Sequence, residues 1–130
     1  MTEKHNNFVD NVIKVTKSDS NTVGLALGGS WITKEIDEFS DLDFIIFTNN
    51  TIAPNKSEMT KYAEKFGDLL TGFTGEHVGE RRLLICLYDN PLLHVDFKFL
   101  TPDEFYERIE DPILLWEKDN ILSDIISNTK

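Results

Sequence analysis

The sequence has one cysteine, few basic residues and no long apolar run, and each shortage excludes a class of protein. Cys86 alone cannot form an internal disulfide or a cysteine-based zinc site, and its apolar neighbours predict a core thiol of a cytoplasmic protein. Thirteen Lys and Arg against 23 Asp and Glu give a net charge of −10, which disfavours a general nucleic-acid binder and suits divalent cations. No signal peptide is recognisable, and the longest apolar runs fall far short of the roughly 20 residues that span a membrane.

The composition that remains is typical of one soluble globular domain. The 130 residues are 40% hydrophobic and 28% charged, and nine Phe, three Tyr and two Trp are enough to fill a core. We find no internal repeat, low-complexity tract or linker. The sequence therefore predicts a single domain over residues 1–130.

Apolar residues recur at helical spacing in some segments and form short strand-like runs in others. This pattern predicts an α/β (α+β) fold, with helices packed on a mixed sheet of four to five strands. Helices are expected over residues 3–17, 31–36, 57–70, 101–109 and 121–126, the third with Ser57 as its N-cap. Strands are expected over residues 22–27, 41–48, 82–88 and 92–100, with an edge strand at 113–116. The strands at 82–88 and 92–100 are expected to form an antiparallel hairpin.

Three aspartates are candidates for one site. Side chains alternate between the two faces of a strand, so Asp41 and Asp43 point one way while Leu42 and Phe44 point into the core. Asp96 lies within an otherwise apolar strand, where a carboxylate is costly unless it is paired or bound to metal. If the two strands are neighbours, the three carboxylates repel one another and need one or two divalent ions.

A glycine turn upstream supplies a candidate anion site. Gly28, Gly29 and Ser30 follow the first predicted strand and precede a predicted helix. A break of this kind exposes backbone N–H groups, a hydroxyl and the positive end of a helix, which together suit phosphates. A phosphate site beside a carboxylate trio is typical of metal-assisted phosphoryl or nucleotidyl transfer.

These motifs carry a family resemblance. Gly29-Ser30, separated by ten residues from Asp41-Leu42-Asp43-Phe44, resembles the signature of the polymerase-beta-like nucleotidyltransferase superfamily. Asp96 matches the third carboxylate that this superfamily carries on a later strand. Within the superfamily, the chain looks most like the antibiotic adenylyltransferases of the aminoglycoside and lincosamide type. The likeness covers residues 22–100.

The resemblance implies a nucleotidyltransferase fold and an enzyme that transfers a nucleoside monophosphate to a hydroxyl of a small molecule, with release of pyrophosphate. The expected donor is ATP, which would supply AMP, with another nucleoside triphosphate as the alternative. It implies that Asp41 and Asp43 bind two Mg²⁺ ions, with Mn²⁺ as an alternative, and that Asp96 binds the catalytic ion. Asp96 is the candidate general base, a base on the substrate being the alternative. Gly29 and Ser30 would hold the β and γ phosphates.

The chain departs from the superfamily pattern in two places. Trp31 stands where the antibiotic enzymes often carry an arginine, so another cation must grip the phosphates, the candidates being Lys34, Arg81, Arg82 and Lys98. For Lys98, an ion pair is the equal alternative. The antibiotic enzymes also continue into a helical acceptor domain, which this chain is expected to lack. The sequence is therefore expected to be a fragment, a minimal catalytic domain with a separate helical partner subunit, or an obligate oligomer such as a homodimer.

The alternative function keeps the fold and changes the acceptor. It is a minimal nucleotidyltransferase subunit that acts on or binds a partner protein, as in toxin–antitoxin pairs. A catalytically inactive binding module is a third reading, which the three intact acidic positions argue against. His94 is interpreted as a structural or pocket-lining residue rather than a metal ligand, and Trp116 as a core or interface residue.

Overall fold

The computed structural model describes residues 3–28, 42–53, 55–75, 79–89, 92–107 and 113–128. These residues form three α-helices, which are α1 (Glu3–Lys17), α2 (Lys56–Glu64) and α3 (Ile121–Asn128), and a 3₁₀-helix at Pro102–Glu107. They also form six strands, which are β1 (Thr22–Leu27), β2 (Leu42–Thr48), β3 (Asp68–Gly75), β4 (Glu80–Asp89), β5 (Leu93–Leu100) and β6 (Ile113–Glu117). None of the helices in these ranges is both long and apolar enough to cross a membrane.

The strands form one mixed sheet in the order β3-β4-β5-β2-β1-β6. Among the described strands, β2 and β5 pair in parallel and every other neighbouring pair is antiparallel. A parallel pair cannot be joined by a tight turn and needs a long crossover connection. Here the chain between β2 and β5 supplies α2, β3 and β4. The fold is therefore α+β with a six-stranded mixed sheet.

The larger hydrophobic core lies on one face of the sheet and is rich in aromatic rings. Phe44 of β2 and Phe97 of β5 are register partners, and their rings stack with centroids 5.4 Å apart and planes 15° apart. Phe66, which follows α2, and Phe8 of α1 pack against these two rings. The hydroxyl of Tyr88 donates a 2.6 Å hydrogen bond to the carbonyl of Ala63. Both α1 and α2 are thereby tied to the centre of the sheet.

A smaller core lies on the opposite face, where α3 covers the half of the sheet that contains β1 and β2. Its buried members are Val23, Ala26, Phe47, Leu100, Leu122 and Ile125. Gly24 lets α3 approach β1 closely, because a Cβ at this position would collide with Leu122. The face of the sheet that carries Asp43 is therefore partly occupied by a helix.

Several of the predicted elements are confirmed. Helix α1 and strand β1 have the predicted bounds, β4 and β5 form the predicted antiparallel hairpin, and β6 and α3 lie where an edge strand and a final helical turn were expected. Of the segment predicted to be helical over 101–109, Pro102–Glu107 is a 3₁₀-helix, and residues 108 and 109 lie outside the described residues. The helix predicted at 31–36 and the first residue of the second predicted strand, Asp41, lie outside the described residues.

The prediction of a helix over 57–70 is wrong at both ends, and the count of four to five strands is wrong by the same error. Helix α2 ends at Glu64, and β3 begins four residues later as a sixth strand. Leu69 and Leu70 continue the helical spacing, but Gly67 interrupts it, and the threonines and phenylalanine that follow favour a strand. The N-cap is Asn55 rather than Ser57, since the Asn55 side chain accepts a hydrogen bond of 3.1 Å from the N–H of Glu58.

Gly75 should be the least replaceable glycine of β3. A Cβ at Gly75 would lie 2.6 Å from the carbonyl oxygen of Glu80, a backbone atom that cannot move aside. We expect Gly75→Ala to lower the free energy of unfolding by about 1–3 kcal/mol, the usual cost of overpacking. Urea denaturation measures this quantity.

The matched control for this substitution is Gly72→Ala in the same strand. A Cβ at Gly72 would find its nearest neighbours at 3.7 Å, which is ordinary van der Waals contact. We expect this variant to change the free energy of unfolding by no more than about 0.5 kcal/mol. Equal losses in the two variants would show that the close approach at Gly75 is not what limits the strand.

Candidate functional site

Asp43 and Asp96 lie directly opposite each other on the parallel pair of strands. They are register partners on β2 and β5, so their side chains leave the same face of the sheet, about 4.8 Å apart at the backbone. Leu42 and Phe44, on either side of Asp43, are buried in the main core. The alternation of the strand therefore directs Asp43 to the opposite face, as predicted from the sequence.

The end of β1 lies beside this pair of aspartates. The backbone N–H of Gly28 donates a 2.9 Å hydrogen bond to the carbonyl oxygen of Asp43. On the other side of Asp96, its register partner on β4 is Ile85, and the partner of Ile85 on β3 is Phe73. A single row thus runs from Gly28, at the end of β1, through the two carboxylates to Ile85 and Phe73.

The remaining residues of the predicted site cannot be placed in this row. Asp41, Gly29 and Ser30, predicted as a metal ligand and as phosphate-binding residues, lie outside the described residues. Within the ranges that the structure describes, no group of three or more His, Cys, Asp or Glu side chains is arranged to hold a metal ion. The structure therefore brings together two members of the predicted carboxylate trio.

His94 lies next to the aspartate pair. Its Nε2 is 3.4 Å from Oδ1 of Asp96, and the His94 side chain is 44% exposed whereas that of Asp96 is 23% exposed. In the sheet, His94 is the register partner of Leu87 on β4. The interpretation of His94 as a structural or pocket-lining residue stays a prediction.

Lys98 lies two residues beyond Asp96 and forms an ion pair with a residue that the sequence did not single out. Its Nζ is 3.3 Å from Oε2 of Glu80. Glu80 also accepts two hydrogen bonds from the guanidinium of Arg82, at 2.9 and 3.0 Å. These hydrogen bonds, helped by the charge of Lys98, lower the pKa of Glu80 to about 2 although burial opposes them.

The guanidinium of Arg82 is hydrogen-bonded to two carboxylates. Besides Glu80 it donates a 3.0 Å hydrogen bond to Glu104 in the 3₁₀-helix, and these contacts raise the pKa of the guanidinium above its usual value. Of the other cations considered for phosphate binding, Arg81 is exposed and Lys34 lies outside the described residues. The signal for this ion network in the sequence was weak, because Glu80 and Glu104 are far apart in the chain and look like ordinary surface acids.

The two aspartates present suit a divalent cation. Carboxylate oxygens are the ligands that Mg²⁺ prefers, and Mg²⁺ is commonly bound by one or two carboxylates together with the phosphates of a substrate. Two partly exposed carboxylates on adjacent strands meet this requirement. They would need a nucleotide, or Asp41, to complete the coordination.

Comparison with known proteins adds no further support. No protein-family model matches the chain, and no curated protein matches it. The functional assignment therefore depends on the residues and their geometry.

The Glu80 network should make stability depend on acid pH. The pKa of Glu80 is lowered from 4.5 to about 2, so its contribution is present above about pH 4.5 and is lost as the pH falls toward 2. We expect Glu80→Gln to be less stable than wild type at neutral pH and the difference to shrink below pH 4.5. Urea denaturation at a series of pH values measures this, with Glu64→Gln, an exposed residue, as control. A difference that does not vary with pH would contradict the assignment.

Cys86 offers a direct probe of how well the core beneath the site is closed. The side chain is 1% exposed, and burial together with the charge of Asp96 raises the pKa of the thiol to about 12. Because the thiolate is the reactive form, we expect a disulfide reagent at pH 8 to label the folded protein only at the rate of unfolding. Labelling should be immediate in concentrated urea. Rapid labelling of the folded protein would show that this part of the sheet opens readily.

Proposed function

We propose that the protein is a metal-dependent nucleotidyltransferase that transfers AMP from ATP to a hydroxyl group. The observation that carries the proposal is the register of β2 and β5, which sets Asp43 and Asp96 side by side, with the backbone N–H of Gly28 donating a hydrogen bond to the backbone carbonyl of Asp43. This is the arrangement expected if the glycine turn holds phosphates beside a carboxylate pair. It agrees with the resemblance to the polymerase-beta-like superfamily, and especially to its antibiotic adenylyltransferases.

In the proposed reaction, the oxygen of the acceptor hydroxyl forms a bond to the α-phosphorus of ATP, and the bond from that phosphorus to the bridging oxygen of pyrophosphate breaks. Asp43 and Asp96, with Asp41, would hold Mg²⁺ against the phosphates. The ions would supply positive charge to the attacking and leaving oxygens. Asp96 would accept the hydroxyl proton, and Gly29 and Ser30 would bind the phosphates that leave.

The order of residues across the sheet also suggests where the acceptor approaches. In-line displacement requires the attacking oxygen to come from the side opposite the leaving group. If pyrophosphate leaves on the side of Gly28, the acceptor approaches from the side of β4. Leu83, Ile85 and Leu87 are half-buried there and are register partners of Lys98, Asp96 and His94. An acceptor at this position would lie over an apolar floor.

The alternative is a nucleotidyltransferase subunit whose acceptor hydroxyl belongs to a partner protein. One feature favours it: Phe73, at the outer end of the apolar floor, is 46% exposed and lies on an edge strand of the described sheet. A macromolecular acceptor could cover such a surface, whereas a small molecule would reach only part of it. The two readings share the nucleotide and metal chemistry and differ in the acceptor.

The decisive measurement is the titration of ATP by calorimetry with and without Mg²⁺. We expect wild-type protein to bind ATP only with Mg²⁺, and Asp43→Asn to lose most of that binding, because one of the carboxylates that hold the ion becomes neutral. The matched control is Asp103→Asn, which removes an exposed carboxylate on the 3₁₀-helix and should bind like wild type. Equal binding by Asp43→Asn and wild type would refute the proposed site.

A second assay distinguishes the acceptors. Release of pyrophosphate would be measured with a panel of hydroxylated small molecules. Transfer of labelled AMP to protein would be measured in a lysate of cells that contain this protein. Turnover with a small molecule supports the first function, and labelling of one protein band without small-molecule turnover supports the alternative. Asp96→Asn should abolish turnover in either case, because it removes the proposed proton acceptor.

A further inference from the structure

Strand β3 forms an edge of the sheet and has one strand partner among the described residues, β4. The outer side of such a strand presents backbone N–H and C=O groups that another extended segment can pair with. Natural proteins protect edges with charged side chains, especially lysine, with proline or with β-bulges. Residues 68–75 contain no lysine or proline, and Asp68 at the first position is the one charged residue in the strand.

The first half of β3 is also apolar and irregular. Its register with β4 shifts between Leu69 and Thr71, so Leu70 is the extra residue of a bulge. The Leu70 side chain is 55% exposed. The bulge thus places an aliphatic side chain at the surface in the first half of the edge strand.

A groove runs along this half of the strand. It has a volume of about 600 Å³, and it is lined by residues 67–72 on one side and by Thr60 and Glu64 of α2 on the other. Six residues of extended chain span about 20 Å. The six consecutive lining residues 67–72 thus offer a short extended segment a path between α2 and β3.

The charges around the groove define the partner. The charged residues that line it are Glu64, Asp68 and Asp89, and none of its described lining residues is basic. Lys65, next to Glu64, is directed elsewhere, since its Nζ lies 5.2 Å from the centre of the Tyr62 ring and its charge acts on Asp19. The groove is therefore acidic, and it attracts a cationic segment.

A second copy of the chain is a poor occupant. Two chains that each carry a net charge of −10 repel each other, and a second β3 would bring another Asp68 to an edge that is already acidic. A segment from a different protein avoids both costs if it carries lysine or arginine. An apolar residue in the same segment would cover Leu70.

We propose that the groove between α2 and β3 binds an extended segment of a partner protein, basic with alternating apolar residues, which adds to the sheet as a seventh strand beside β3. Main-chain hydrogen bonds to the edge provide affinity, and the acidic wall selects the basic sequence. The inference does not depend on nucleotidyl transfer, because the groove is formed by residues outside the row that contains Asp43 and Asp96.

The test uses a fluorescent peptide of alternating lysine and valine and measures its binding to the full chain by fluorescence anisotropy. We expect the double variant Glu64→Lys with Asp68→Lys to bind at least about tenfold more weakly, because two attractive contacts become repulsive. The matched control is Asp10→Lys with Asp103→Lys, which changes the net charge equally at exposed positions outside the groove. Equal weakening in both double variants would mean that the peptide responds only to total charge, which would overturn the proposal.

Two further measurements test the strand geometry and the identity of the occupant. The same peptide N-methylated at alternate residues should bind much more weakly, because it cannot form the ladder of main-chain hydrogen bonds; unchanged binding would exclude strand addition. Sedimentation velocity should give the same oligomeric state for the wild-type protein and for the double variant Glu64→Lys with Asp68→Lys. A dimer that depends on these two residues would assign the groove to a second copy and contradict a basic partner.

Discussion

The stacked rings of Phe44 and Phe97 fix the register on which the candidate site depends. They lie on the buried face of the parallel pair, each one residue beyond an aspartate that points the other way. Because the period of a strand is two residues, a slip of either strand by one position would move its ring to the opposite face and its carboxylate into the core. The cost of burying unpaired charge and exposing aromatic area therefore holds Asp43 opposite Asp96.

The ion network around Glu80 shows how an acidic protein arranges its few cations. Glu80 binds the guanidinium of Arg82 with both oxygens and the ammonium of Lys98 with one of them, and Glu104 binds Arg82 again. Two of the cations that could have been assigned to phosphate therefore have carboxylate partners in the protein. A phosphate that recruited Lys98 would have to compete with Glu80, whose lowered pKa reflects how firmly its charge is held.

Local patterns predicted the local structure well. The helical spacing of Phe8 and Val12 and the apolar run after Thr22 were sufficient for α1 and β1, because burial of one face decides each element. The pattern failed around Gly67, where the same leucines fit a helix or a strand and only the pairing with β4 decides between them. The opposite orientation of Asp43 and its buried neighbours followed from alternation alone. The pairing of Asp43 with Asp96 did not, since register between distant strands is a tertiary property, and the partner of Lys98 was missed for the same reason.

The parallel pairing also has a kinetic consequence. Its two strands are separated in the chain by α2, β3 and β4, so the residues that pair are far apart in sequence. The loss of chain entropy on closing this long loop opposes formation of the pair. The hairpin of β4 and β5 and the helix α1 involve only near neighbours in sequence and can form first. The two carboxylates would then meet in one of the last steps, so a nascent chain remains without its acidic centre until nearly the whole sheet has been synthesised and docked.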